Sequence, residues 1–85
     1  MIEESVKKLK KLKKNPTDDE KLMLYGLFKQ HKVGDCNISK PGYFNFKGML
    51  KYDAWNKNRS MSKETAAVKY NDYVTKLAEK YGLKM

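Results

Sequence analysis

Tyr25, Phe28 and Lys29 stand at i, i+3 and i+4, so on a helix they share one face. Lys47 and Lys51 are four apart and Trp55 is four further on, which makes a second face of the same kind. A lysine ammonium binds phosphate as a compact point charge, and an aromatic ring offers a stacking surface to a flat base. Between the two stretches runs a loop punctuated by Val33-Gly34-Asp35 and Lys40-Pro41-Gly42. If that loop folds back, the two faces meet as a basic, aromatic-lined cleft suited to a phosphorylated ligand with a flat ring. Trp55 and Tyr70 taken singly read as core residues. Beside Tyr25, Phe28, Lys29, Lys47 and Lys51 they read as part of a ligand constellation. From the residues alone, the chain binds something anionic and partly flat.

Other chemistry finds little support. His31 is the only histidine and Cys36 the only cysteine, and no third residue is placed to orient such a pair for nucleophilic catalysis. One Cys and one His fall short of a zinc set, so no metal site is expected. No glycine-rich phosphate loop of the Walker type occurs. The sequence does not read as an enzyme, and no cofactor is expected.

The elements that must position the cleft are helical. Ile2, Val6, Leu9 and Leu12 give a narrow amphipathic stripe, so a first helix is predicted over 2–14, ended by Asn15-Pro16. It carries six lysines, with Glu3 and Glu4 at its positive end. Thr17 and Glu20 form a capping box for a second helix over 18–33, with Gly34 able to take a left-handed C-terminal position. Gly26 interrupts this helix where another helix or a ligand could approach closely. Residues 34–45 read as loop, and Tyr43, Phe44 and Phe46 are expected to pin it to the core. A third helix covers 46–58. Ser62 caps a fourth, with the stripe Ala66, Tyr70, Tyr73/Val74, Leu77 and Tyr81 and with Gly82 closing it. No β-alternation of useful length appears. The fold class predicted is all-α with four helices, in one domain spanning 1–85.

Eighty-five residues bury only about 60% of the unfolded surface, which favours a groove between elements over an enclosed cavity. The net charge of +9 predicts attraction to polyanions: nucleic acid, an anionic membrane or a phosphorylated small molecule. The basic residues are spread over all four helices and match no nucleic-acid-binding motif, so a nucleic-acid partner is the first alternative and is not expected. A membrane-surface role for the lysine-rich first helix is the second, since its apolar residues also suit core packing. The longest apolar run is far too short to span a bilayer, no secretory leader is read at the N-terminus, and the single cysteine fits a reducing compartment. A cytoplasmic monomer is expected.

Several segments in order and spacing add to this. They are Asn15-Pro16 with its acidic cap, YGLFKQHKVGD (25–35), KPG (40–42), FKGMLKYDAW (46–55), MSKETAAVKY (61–70) and KYG (80–82). With them the chain resembles the acyl-CoA-binding protein family over nearly its whole length. The resemblance implies an up-down-down-up four-helix bundle that binds medium- to long-chain fatty acyl-CoA esters without altering them, acting as an intracellular carrier and pool former. Carried over by position, it implies ligand contacts at Lys10, Tyr25, Gly26, Leu27, Phe28, Lys29, Lys47, Lys51 and Tyr70, with Val6, Lys21 and Leu22 near the acyl chain. Tyr25, Lys29 and Lys51 would hold the 3′-phosphate region and Phe28 would stack on adenine, while Lys10 and Lys47 would assist with phosphate charge or ligand placement. Acyl-CoA-using enzymes and donor and acceptor membranes are implied as transient partners.

Three positions depart from the family pattern. Phe28 stands where tyrosine is common, which keeps stacking and loses a hydroxyl contact. Tyr52 replaces a common tryptophan. Lys21 occupies a position often apolar in relatives, and a change in chain-length preference is expected from it.

Overall fold

The computed structural model describes residues 1–84; Met85, the last residue of the expected domain, lies outside them. Four helices follow in order: α1 (Glu3–Lys10), α2 (Asp18–Lys32), α3 (Phe46–Asn56) and α4 (Lys63–Tyr81). Each of the last three starts on a side-chain cap. Thr17 accepts from the Glu20 amide while the Glu20 carboxylate accepts from the Thr17 amide, which completes the reciprocal box. Asn45 and Ser62 cap α3 and α4 by accepting from Gly48 and Thr65 amides. Gly34 ends α2 with φ of +100°, a conformation that costs glycine little.

Specific contacts fix the directions of the helices. Asn71 Nδ2 donates to the Met1 carbonyl at 3.0 Å, and Leu12 pairs with Leu83, so α1 and α4 run parallel. Glu20 meets Lys80 and Tyr81, whereas Gln30 Nε2 donates to the Met61 carbonyl at 2.8 Å, so α2 and α4 are antiparallel. Tyr25 meets Lys51, and Trp55 Nε1 donates to the Gly34 carbonyl at 2.8 Å, which sets α2 and α3 parallel with the 33–45 loop returning the chain. This is the up-down-down-up order. Helix α2 is the hub: it packs on α3 and α4, while α1 packs on α4 alone. Leu24 and Leu27 of α2 join Ala67, Tyr70, Val74 and Leu77 of α4 in the core, with Ile2 and Leu12 closing it.

Two expectations need correction. The first helix stops at Lys10 instead of Lys14. Lys13 donates its amide to the Gly82 carbonyl (3.0 Å) and Lys84 donates to the Lys11 carbonyl (2.7 Å). These groups cannot serve a helical ladder as well, and the extended pairing buries Leu12. The second correction concerns the loop. Tyr43, Phe44 and Phe46 do not pin it to the core: Tyr43 is 89% exposed, Phe44 fully exposed and Phe46 72% exposed. The core is drawn from α1 with its flanking residues, α2 and α4, with nothing from 34–60, so the loop has no apolar layer to enter. The loop is held at its ends instead. Trp55 bonds Gly34 and Arg59 Nη2 donates to the Cys36 carbonyl at 3.1 Å, while Asn45 caps α3.

Candidate functional site

A groove of about 330 Å³ opens between parallel α2 and α3 toward their N-terminal ends. Asp18, Lys21, Leu22 and Tyr25 line it from α2, and Lys47, Leu50 and Lys51 from α3. The spacing explains the composition, because 18, 21/22 and 25 fall on one helical face and 47 and 50/51 on another. Three lysines against one aspartate leave the rim cationic. Leu22, Tyr25 and Leu50 provide an apolar wall, so the groove suits a ligand with a negative end and a hydrocarbon portion.

Two lysines between α2 and α3 are pre-positioned over aromatic faces. Lys51 Nζ lies 5.6 Å from the Tyr25 ring centroid, across the groove. Lys29 Nζ lies 4.8 Å from the Trp55 ring, one turn deeper between the same helices. Each contact adds roughly 0.5–1 kcal/mol at exposed sites, weak enough to be exchanged for a phosphate. Lys32 Nζ covers the half-buried Phe28 ring at 5.9 Å.

The structure therefore brings together Lys21, Leu22, Tyr25, Lys47 and Lys51. The remaining candidates stand elsewhere. Leu27 is in the core, Val6 and Phe28 pack against its edge, and Lys29 continues the α2 face one turn past Tyr25. Lys10 is exposed at the end of α1, a helix with no packing contact to α2 or α3. Gly26 is buried against α3: a Cβ there would lie 2.2 Å from the Ala54 carbonyl oxygen. The close approach left open by the sequence is thus that of a helix. Trp55 is 2% exposed, its indole committed to Gly34, so it is a packing residue and not a groove wall. Tyr70 keeps 4% exposure, and its hydroxyl is pushed upward in pKa by burial.

Asp18 and Leu50 also line the groove and were not singled out from sequence. The helical steps 18→22→25 and 47→50 from residues already chosen were the signal for them. The His31–Cys36 pair has no place in it: His31 Nδ1 lies 3.0 Å from the Lys63 carbonyl, and Cys36 is buried. No group of three or more His, Cys, Asp or Glu capable of holding a metal occurs among the described residues.

Behind the groove, Gln30 fastens α2 to both loops. Its buried amide donates to Asp35 Oδ1 (2.9 Å) as well as to Met61, and Asp35 Oδ1 also accepts from the Ser60 amide at 2.7 Å. The Gln30 hydrogen bond first, then that of Ser60, hold the Asp35 carboxyl below its ordinary pKa.

A four-helix architecture with a shallow cationic groove between two parallel helices defines a ligand-binding bundle. The chain belongs to the acyl-CoA-binding protein family: residues 3–74 match the family described as "Acyl CoA binding protein". An acyl-CoA-binding protein homolog of Drosophila melanogaster is 47% identical over 77 residues, 91% of this chain and 90% of that protein. The acyl-CoA-binding protein of Dictyostelium discoideum is 47% identical over 80 residues, 94% of this chain and 95% of that one. The crystal structure of Oryza sativa acyl-CoA-binding protein 2 superposes with a TM-score of 0.86 at 40% identity, covering 93% of this chain and 86% of the rice protein. No helix among the described residues is long and apolar enough to cross a membrane.

Proposed function

We propose that the protein binds medium- to long-chain fatty acyl-CoA esters and carries them, unaltered, as an intracellular pool. The observation that supports this most directly is the α2–α3 groove, with Leu22, Tyr25 and Leu50 as its apolar wall and Lys21, Lys47 and Lys51 at its rim. An acyl-CoA ester has the matching division, a hydrocarbon tail joined to a polyanionic head. Lys51, Lys47 and Lys29 are the cations assigned to phosphate, Tyr25 and Phe28 the rings assigned to the nucleotide, and Leu22 with the Lys21 stem the acyl-chain wall. Lys10 contributes charge at longer range.

The energetics suffice. Charge-assisted hydrogen bonds contribute on the order of 1.5–3 kcal/mol each, and each buried methylene about 0.8 kcal/mol. Together they reach about −12 kcal/mol, a nanomolar dissociation constant, after the ordering costs of association. The proposed working form is a cytoplasmic monomer of one domain, residues 1–85, without catalytic activity or cofactor. It receives esters from donor membranes and passes them to acyl-CoA-using enzymes.

Titration calorimetry with palmitoyl-CoA, free CoA and palmitate, all below their micellar concentrations, tests the reading. One-to-one binding of the ester, with far weaker binding of each part, is expected. Equal affinity for free CoA and the ester would remove the acyl groove from the mechanism, and no binding of the ester would remove the function.

A further inference from the structure

Among the described residues, eight large hydrophobic side chains stand exposed, and five of them fall within 38–50: Ile38, Tyr43, Phe44, Phe46 and Leu50. The same stretch is cationic. No acidic residue occurs between Asp35 and Asp53, while Lys40, Lys47 and Lys51 all do. We propose that this segment, the α2–α3 loop with the first turns of α3, is a docking element for anionic phospholipid surfaces.

The chemistry of the patch favours lipid over a protein partner. Phe44 is wholly exposed and Tyr43 nearly so, so both rings stand out from the fold. Rings that stand free at a cationic tip can enter the soft boundary between headgroups and acyl chains, where Tyr and other amphipathic rings settle. Lys40 rims a shallow hollow of about 260 Å³ with Pro41, Gly42, Tyr43 and Met49, and there it meets headgroup phosphate. Each lysine near such a surface adds attraction that falls off within a Debye length.

The element is also presented ready-made. Trp55 on Gly34, Arg59 on Cys36 and the Asn45 cap hold the two ends of the loop. The lysine-rich α1 lacks the apolar half of such a device, because Ile2 and Leu12 are buried and Val6 and Leu9 pack against the core. Charge alone is what α1 offers a membrane.

Phe46 and Leu50 are one helical turn apart, and Leu50 is a wall of the groove. Docking through 38–50 therefore sets the lip of the groove against the bilayer. Resting on the carrier reading, this gives an acyl tail an apolar path from membrane to groove.

Cosedimentation of the full chain with vesicles tests the docking, using phosphatidylcholine alone and phosphatidylcholine with phosphatidylserine at roughly 7:3. The wild type is expected to sediment with the mixed vesicles only. Tyr43→Ser combined with Phe44→Ser should lower that affinity at least about tenfold, and Lys40→Glu about fivefold or more. None of these residues lines the α2–α3 groove, so calorimetric affinity for palmitoyl-CoA in solution should stay within about twofold of the wild type. Failure of the wild type to sediment, or sedimentation of the double variant as wild type, overturns the proposal. Loss of ester binding by the wild type would instead overturn the carrier reading and leave the sedimentation result to decide docking.

Discussion

Gly26 on α2 lies against the backbone of Ala54 on α3 so closely that a methyl group would sit 2.2 Å from the Ala54 carbonyl oxygen and 2.8 Å from its carbon. Backbone cannot swing aside as a flexible side chain does, so Gly26→Ala must push α3 away from α2. The gain in helix propensity, about 1 kcal/mol, offsets part of this. A net loss of about 2 kcal/mol in unfolding free energy is expected by urea denaturation. Because the groove is the space between these two helices, its affinity for the ester should fall as well. A variant as stable as the wild type would show that α3 rides on α2 loosely.

Much of the architecture was legible because local chemistry and packing agree. Thr17 and Glu20, Ser62, Gly34 and the Ala66–Leu77 stripe each specify a helix end or a buried face in a way that tertiary contacts reinforce. Two readings went astray where long-range partners decide. The residues after Lys10 keep an amphipathic pattern, but their backbone groups pair with Gly82 and Lys84, some seventy positions away. The loop aromatics follow the general tendency of rings to be buried, but the core is assembled from α1, α2 and α4 with nothing from 34–60, which leaves them outside. In the site, Tyr25, Lys47 and Lys51 emerge from spacing because helical periodicity fixes which residues share a face. Trp55 has the same spacing and a different fate, since its angular position carries it under α2 to the Gly34 carbonyl.

Ser60 is the one non-glycine residue among those described with positive φ, at 74°. It sits in the α3–α4 turn, where its amide donates to Asp35. That backbone costs an L-residue roughly 1–2 kcal/mol, whereas glycine adopts it freely at some entropic cost in the unfolded chain. Ser60→Gly keeps the amide and should raise unfolding stability by about 0.5–1 kcal/mol, measured as a higher urea midpoint with an unchanged slope. A lower midpoint would mean that the serine side chain contributes something the backbone account omits.

Glu20 ties the start of α2 to the end of α4. Its carboxylate accepts from the Tyr81 hydroxyl at 2.6 Å, the Thr17 amide at 2.8 Å and Lys80 Nζ at 3.0 Å. The Tyr81 bond first, then that of Thr17, lower its pKa from 4.5 to about 2. A carboxylate depressed in the folded state contributes stability above its unfolded pKa and loses it as pH falls through the folded value. The melting temperature of wild type should therefore exceed that of Glu20→Gln at neutral pH, and the gap should close between pH 4.5 and about 2. Glu3 is depressed to about 2 as well, by its hydrogen bond to the N-terminal ammonium, but it is common to both proteins and cancels in the difference. A gap independent of pH would assign the effect to packing.

Lys21 stands beside Leu22 on the groove wall, where its stem is apolar and its ammonium must remain in water. A methionine there extends the apolar wall without a charge to solvate. Lys21→Met should strengthen binding of long acyl-CoA esters more than short ones, by roughly 0.8 kcal/mol for each further methylene brought into contact. Calorimetry across C8 to C20 esters reads this as a steeper dependence on chain length. An unchanged ranking would place the acyl chain away from Lys21.

Lys51 reaches across the groove to the Tyr25 ring, and its exposed ammonium has the freedom to leave that ring for a phosphate. The contact with Tyr25 is weak, roughly 0.5–1 kcal/mol, whereas a charge-assisted hydrogen bond to a phosphate contributes about 1.5–3 kcal/mol. Removing the ammonium should therefore affect binding more than folding. Lys51→Ala is expected to raise the dissociation constant for palmitoyl-CoA at least about tenfold, while its urea midpoint shifts little. Lys76→Ala, which removes an equal charge on α4 away from this groove, separates local contact from the general field of a +9 protein. Its effect on affinity should be small and should vanish at moderate salt, because charges beyond a Debye length are screened. Equal losses from both variants would reduce the role of Lys51 to net charge. A loss confined to Lys51 fixes the phosphate end of the ligand at the junction of α2 and α3.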